Sequence, residues 1–582
     1  MKIYHFLTTS LLLILLSASA SAQQKTFCNP INLDYGFTPI PNFTLEGRHR
    51  STADPVIVTY KDYFFLFSTN QWGYWYSKDM GSWTFVSRKF LKPNHKVYDD
   101  LCAPAVWVSG DTMFVIGSTY TQGFPIWMST NPFKDEWTEA IDSSRSGAWD
   151  PAYFLDDDGR LYLHHGSSNT YPLLAREIDR KTLQPIGQTV ETISLHSEDH
   201  GWERFGEYQD NNFMPPFMEG AWMTKHNNRY YLQYGAPGTE FSGYADGVYY
   251  SDSPMGGFKY QVHNPFSMKA GGFINGSGHG STYQDKWKNY WHISTMNIIV
   301  KNTFERRNGI FPAGFDQDGV MYAIADFGDY PQWLPDGPAD HRKGTFTGWM
   351  LLNYQKPVRV SSTLGVWNAN LAVDEDIKTY WSAKTGDKGE WIESDLGEIS
   401  EIRAIQINYA DQDADYLGKQ NDLYHQYILY MSDDGKNWKV LVDKSRNKTD
   451  VPHDYIELEK PVKARFVKLE NIHMAAGKFA ISGLRVFGKG AGSAPEKVEG
   501  FTVIRQKDDR RNCWVKWRTT PGAYAYNVYY GVTPDALYTS IMVYGKNERY
   551  VKTLAKGTAY FFAIEAINEN GVGPRSPVMT VE

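Results

Sequence analysis

One repeating pattern limits what this chain can fold into more than any other feature. Between residues 27 and 335 a small or acidic residue opens an apolar strand, a tight turn follows, and an aromatic strand returns. The pattern stands at Ala53-Asp54-Pro55-Val56-Ile57, Ala103-Pro104-Ala105-Val106-Trp107, Trp149-Asp150-Pro151-Ala152-Tyr153, Met218-Glu219-Gly220-Ala221-Trp222 and Gly278-His279-Gly280-Ser281-Thr282. Its starts, at 54, 104, 150, 219 and 279, lie 46 to 69 residues apart, which suits four-stranded propeller blades. Runs such as Tyr63-Phe64-Phe65-Leu66-Phe67 and Arg229-Tyr230-Tyr231-Leu232, each preceded by turn residues, supply the returning strands. No amphipathic helical pattern longer than about three turns competes with them. The predicted fold class is all-β, beginning with a five-bladed β-propeller over residues 27–335.

First strands of propeller blades converge on a central axis, so the residues that head them line one mouth of the channel. Asp54, Asp150 and Glu219 should therefore meet there. Hydrolysis of a glycosidic bond needs an acid to protonate the leaving oxygen and a base to activate water, and an inverting enzyme leaves room for that water between them. A third carboxylate raises the pKa of the acid, because neighbouring like charges resist joint ionisation. A single Asp-Pro is ordinary turn chemistry. Acids at three of five equivalent positions point to catalysis.

Composition narrows the setting. At 582 residues the chain has room for three or four domains, and 42% hydrophobic residues suffice for packed cores. A net charge of -7, from 59 basic against 66 acidic residues, leaves no electrostatic footprint for nucleic acid. Three cysteines, Cys28, Cys102 and Cys513, permit at most one internal disulfide. Met1-Lys2, the apolar run Leu11 to Leu16 and the small residues Ala20-Ser21-Ala22 read as a signal peptide over residues 1–22. The expectation is export to the periplasm or the extracellular space, with no membrane insertion after signal cleavage.

With these motifs in place, residues 27–330 resemble glycoside hydrolase family 43, the five-bladed propeller glycosidases. The resemblance rests on Ala53-Asp54-Pro55, Trp149-Asp150-Pro151, Glu219-Gly220 and Gly276-Ser277-Gly278-His279. It implies that Asp54 is the general base, Glu219 the general acid and Asp150 the residue that tunes and orients the acid, with inversion at the anomeric carbon. His279 matches the family's histidine near the axis. Either Arg306 or Arg307 is expected to hold a sugar hydroxyl, and Trp72, Trp75 and Trp149 are candidates for stacking on sugar faces. No Asn-Asp-Pro-Asn of the fructan enzymes is present. Ser77-Lys78-Asp79-Met80-Gly81-Ser82-Trp83 is one residue short of the sialidase turn and reads as a hairpin.

Residues 345–488 resemble a discoidin-like (coagulation factor 5/8 type C) jelly-roll, related to family 32 carbohydrate-binding modules. Ala372 to Trp381, Glu390 to Gly397, Ser432 to Trp438 and Leu484 to Gly488 carry the likeness. It implies a structural calcium near Asp374, Asp376 and Thr379, whose oxygens are hard ligands; no cofactor is expected for catalysis. The alternating Asp411, Asp413 and Asp415 lack an EF-hand glycine and terminal Glu and read as a solvated loop. Gly488 to Pro495 reads as a flexible linker. Residues 496–582 resemble a fibronectin type III domain, with Trp517 as the buried tryptophan and Tyr560 at the corner where a hydroxyl ties back to the backbone. A spacer or interaction role is expected of it. The expected function is removal of terminal α-L-arabinofuranosyl or β-D-xylosyl residues from a plant-type polysaccharide or oligosaccharide. A galactan-directed glycosidase and a non-catalytic carbohydrate-binding or adhesion protein are the alternatives.

Overall fold

The structure is a computed structural model, described for residues 24–38, 49–69, 72–90, 101–118, 124–300, 302–416, 418–419 and 422–582. The expected signal peptide lies outside these residues. Strands dominate, and the helical elements among the described residues are three single 3-10 turns.

Five consecutive antiparallel sheets of four strands each follow the chain order without exchange. They open with Ala53–Tyr60, Ala105–Ser109, Ala152–Leu155, Glu219–His226 and Asn275–Gln284. These first strands touch one another in a closed cycle, the fifth against the first, so the sheets are blades around an axis. Their inner faces bury Phe65, Trp107, Leu163, Leu232 and Ile293, which explains why the returning strands are aromatic and aliphatic rather than alternating with polar residues. Thr26–Phe27 pairs with Gln332–Trp333, so the two ends of the propeller segment are tied together. Asn29 reinforces this tie: its side chain bonds the Ile310 and Gly328 carbonyls and the Ile310 N–H.

The next sheet has eight strands, built around the long partners Trp391–Tyr409 and His453–His473, with Ala480–Lys489 on the other edge of the first. The last segment forms two sheets. Thr502–Arg505, Cys513–Lys516 and Glu548–Val551 make one, and a five-stranded sheet centred on Ala525–Gly531 and Tyr560–Asn568 makes the other. Trp517 is buried there and the Ala555 N–H donates to the Tyr560 hydroxyl at 2.9 Å. No disulfide joins any two of Cys28, Cys102 and Cys513.

The modules are fused rather than strung together. Arg50 of the propeller is fully buried between Asp411 and Asp450, so Asp411 belongs to an interface and not to a solvated loop. Burial alone would push Asp450 up, but the Arg50 guanidinium and His425 hold it well below the usual carboxylate range. Arg485 binds Glu375 through two hydrogen bonds and reaches the Asp329 carbonyl of the propeller segment. One apolar cluster joins Trp202, Tyr234 and Met268 of the fourth blade region to Val515, Tyr526 and Ile541 of the final sandwich. The stretch expected to be a flexible linker is pinned: Gly490 N–H donates to the Glu569 carbonyl, Gly492 N–H to Asn570 Oδ1, and Asn568 to the Ser493 carbonyl. Its small residues let the chain lie against the turn at 568–570, where a Cβ on Gly490 would stand 2.2 Å from Asn570 Oδ1.

Candidate active site

The acidic blade starts share one backbone device. Asp54 and Asp150 occupy the left-handed region at φ 52° and 50°, and His279 does so at φ 44°. This conformation is disfavoured for a side chain, and doubly so before proline, as at Pro55 and Pro151. Strand register slips at the same places, between Ala53 and Val56, Glu219 and Trp222, and Gly278 and Ser281. Each slip is a bulge that turns a side chain out of the sheet toward the axis. Ala103, before Pro104, has the same backbone at φ 38° but carries no acid.

Hydroxyls of the preceding blade hold these turns. Asp54 N–H donates to Thr295 Oγ1 at 2.9 Å, Ala103 N–H to Thr69 Oγ1 at 2.6 Å and Asp150 N–H to Ser118 Oγ at 2.8 Å. Two of these hydroxyls also serve the carboxylates. Thr69 donates to Asp54 Oδ2 at 2.5 Å, and Ser118 to Asp150 Oδ1 at 3.2 Å. Backbone strain and carboxylate orientation are thus supported by the same atoms.

The structure brings Asp54, Asp150, Glu219 and His279 together, although the sequence spreads them over more than two hundred residues. His279 Nδ1 lies 3.1 Å from Asp54 Oδ1 and 3.8 Å from Asp150 Oδ2. One donor atom each from Asp150, Glu219 and His279 falls within a 4.8 Å circle. Glu219 accepts a 2.5 Å hydrogen bond from the Tyr244 hydroxyl on Oε1, and Ser167 Oγ stands 3.5 Å from Oε2. Burial, then the Asp150 and Asp54 charges, push the Glu219 carboxyl up to about 8. Burial also lifts Asp150, to about 6, with the Asp54 charge adding to it and His279 opposing. For His279 burial acts downward, yet the surrounding carboxylates, Asp54 first, outweigh it and hold the imidazole above its ordinary value. At neutral pH Glu219 is thus an acid that keeps its proton beside an Asp150 carboxylate that has lost its own.

Sequence reasoning missed the partners that complete this site. Tyr244, Ser118, Thr69 and Thr295 sit at ends of second and third strands, outside the blade-start pattern. So does Asp246, a buried carboxylate that accepts from Gly280 N–H at 2.9 Å and faces His292 Nε2 at 3.0 Å. Glycine spacing was the available signal for Tyr244. A Cβ on Gly278 would lie 2.6 Å from the Tyr244 ring, so the Gly276-Ser277-Gly278 run is what lets that ring reach Glu219.

The two arginines separate cleanly. They are neighbours on the strand Arg306–Phe315 and therefore face opposite ways. Arg307 turns to the second module, where Nε bonds His453 Nε2 at 2.7 Å and Nη1 the Arg50 carbonyl. Arg306 donates to Thr239 Oγ1 at 3.1 Å, and its buried Nε has no hydrogen-bond partner among the described residues. Trp75 requires a correction. It offers no face to a sugar: it is fully buried, its indole N–H donates to Asp34 Oδ1 at 2.6 Å, and Tyr35 and Phe85 pack edge-on against its ring. Its strand, Gly73–Ser77, is the third of the first blade and pairs directly with Tyr63–Thr69, inside the apolar layer between the first and fifth blades. Trp72 and Trp149 are half-buried.

Of the oxygens expected to take calcium, Thr379 Oγ1 and Asp374 Oδ2 are in contact. Asp374 accepts the Thr379 hydroxyl at 2.7 Å and the Asp376 N–H at 3.2 Å, and Asp376 accepts the Lys378 N–H. Burial pushes the Asp374 carboxyl up to about 6, while the Lys378 ammonium goes instead to Ser242. Two carboxylates and a hydroxyl around an underneutralised acid fit a hard cation.

Two segments of the chain match known family models. Residues 44–321 match the model of glycosyl hydrolases family 43, and residues 357–483 match the F5/8 type C domain. A putative beta-xylosidase of Escherichia coli (strain K12) is 24% identical over 281 residues, covering 43% of this chain and 46% of the relative, so the match spans about half of that protein's length. Among solved structures, a glycoside hydrolase aligns over 78% of this chain and 99% of its own at 17% identity and a TM-score of 0.44. The Bacteroides ovatus xyloglucan PUL GH43B protein aligns over 80% and 98%, at 17% identity and a TM-score of 0.42. An alpha-L-arabinofuranosidase from Clostridium thermocellum covers 47% and 93%, at 15% identity and a TM-score of 0.34. All four carboxylate and imidazole groups of the axis fall inside the matched family 43 segment.

Proposed function

We propose that the chain is an exported, inverting glycoside hydrolase that removes terminal α-L-arabinofuranosyl or β-D-xylosyl residues from plant-type polysaccharides. The observation that carries this reading is the Glu219 carboxyl, pushed up to about 8 within reach of Asp150 and the Asp54–His279 pair. In this mechanism Glu219 stays protonated at neutral pH and gives its proton to the leaving oxygen. Tyr244 occupies Oε1, so Oε2 faces the substrate. Asp54, fixed by Thr69, takes a proton from the attacking water on the opposite face. Asp150 keeps the acid charged with its proton, and His279 balances the Asp54 carboxylate. Arg306, with its unpartnered Nε, holds a hydroxyl of the terminal sugar. The putative beta-xylosidase among the relatives fits a pentose in this pocket.

The test is product release from 4-nitrophenyl α-L-arabinofuranoside, β-D-xylopyranoside and β-D-galactopyranoside, with Asp54→Asn as control. Release from a pentoside that Asp54→Asn abolishes supports the reading. Release from the galactoside alone replaces the sugar, and activity that survives Asp54→Asn removes the base.

In the same reading Asp374, Asp376 and Thr379 hold a structural calcium. It would steady the loop through which Ile377 N–H bonds the Phe273 carbonyl of the propeller. Calcium should then raise the melting temperature of the wild type and leave Asp374→Asn unmoved; equal responses would remove the ion from the account. The final sandwich is read as a fibronectin type III domain on the strength of its two sheets and the Tyr560 corner.

A further inference from the structure

A groove of about 560 Å³ opens beside the axis between the third and fourth blades. It is lined by loops 168–171, 194–198 and 211–216 together with Arg511 and Lys556 of the C-terminal sandwich. These loops follow second or fourth strands and precede the first strand of the fourth blade, so they lie at the mouth that Glu219 heads. The groove borders the site through two residues that adjoin it in sequence. Met218, next to Glu219, forms part of its wall and exchanges backbone hydrogen bonds with Ser168, and Ser167 faces Glu219 Oε2.

Its apolar surface is unusual for a face in water. Phe213 is 97% exposed, Tyr171 75% and Met214 53%. The loop that displays Phe213 is held on both sides. Asn211 Oδ1 accepts the N–H groups of Phe213 and Met214 at 2.9 and 3.1 Å, Arg511 of the sandwich donates to Asn212 Oδ1 at 3.1 Å, and Asn169 donates to the Pro215 carbonyl at 3.0 Å. Arg511 is itself fixed by Asp509 and the Ser197 carbonyl. A fixed, exposed aromatic pair walled by amides and hydroxyls suits the ring faces and hydroxyl edges of a neutral sugar chain.

We propose that this groove binds the leaving-group side of a polymeric substrate, with Tyr171 and Phe213 stacking on successive sugar rings. The C-terminal sandwich is then part of the substrate site: it closes one wall and, through Arg511, sets the loop that carries Phe213. This rests on the hydrolytic reading above, in which Glu219 protonates the leaving oxygen, and it extends the site to the part of the substrate that departs.

The experiment compares Phe213→Ala and Tyr171→Ala with wild type on arabinoxylan-derived oligosaccharides and on the 4-nitrophenyl glycosides. Both side chains are exposed, so melting temperatures should match the wild type. The expected result is a fall in kcat/KM of about tenfold on the oligosaccharides, with aryl glycoside turnover within about twofold of wild type. An active wild type whose variants lose nothing, or lose both substrates equally, overturns the groove assignment and leaves the hydrolytic reading standing. A wild type silent on every substrate overturns the hydrolytic reading itself and the groove with it.

Discussion

Replacing Asp150 with Asn keeps the size of the side chain and removes one charge from the axis. An oxygen of Asp150 lies within 4.8 Å of one of Glu219. At an effective dielectric of about 20, two unit charges that far apart repel by about 3.5 kcal/mol, roughly 2.5 pKa units. His279 and water in the mouth offset part of this, leaving about one to two units of effect. Burial, the larger cause of the raised Glu219 carboxyl, is untouched. The basic limb of kcat/KM, set near pH 8 by the need for a protonated Glu219, should therefore fall by about one to two pH units in Asp150→Asn. The assay is kcat/KM from pH 5 to 10 on a substrate with a poor leaving group, which depends on the acid, beside an activated aryl glycoside, which does not. A limb that stays in place while activity drops evenly at every pH would refute the electrostatic argument and leave Asp150 a purely positional role.

Other consequences are open to measurement. Because the Glu219 carboxyl sits at about 8 in the folded chain against an ordinary 4.5, the native state holds a proton that the unfolded chain releases. Stability should fall as pH rises between those values, and Glu219→Gln should exceed the wild type by about 1–3 kcal/mol at pH 8 with no gain at pH 4.5; equal denaturation midpoints at both pH values would contradict the raised pKa. Gly278→Ala places a Cβ 2.6 Å from the Tyr244 ring, so it should lower kcat on poor leaving groups by displacing the Tyr244 hydroxyl from Glu219, and unchanged kinetics would separate that hydrogen bond from catalysis. Arg485→Ala strands the buried Glu375 and should cost about 3–5 kcal/mol in chemical denaturation; a loss within error would mean that the modules do not depend on this ion pair.

The interfaces also alter what truncation should do. Removal of residues 345–582 would uncover the apolar cluster around Trp202 and Met268 and would deprive Arg50 of Asp411 and Asp450 and Arg307 of His453. A propeller cut at residue 345 should aggregate, which makes point variants the better probe of each module.

The sequence alone determined the blade starts, the acids that head three of them and the glycine-rich approach of His279. These are local: a bulge, a residue before proline and an apolar strand are all written within five residues. The tertiary structure decided what depends on partners far along the chain. Strand alternation says that Arg306 and Arg307 face opposite ways, but the propeller and the second module decide that Arg307 is the one that meets His453. Aromatic content says that Trp75 and Phe213 are large and apolar, but neighbours such as Asp34, Tyr35 and Phe85, gathered around Trp75, decide that it is core while Phe213 stands in water. Likewise Gly488 to Pro495 is flexible by composition and fixed by the turn at 568–570. Backbone preference is local and can be read from the chain. Burial is a property of contacts between distant segments, and it exists only once they have met.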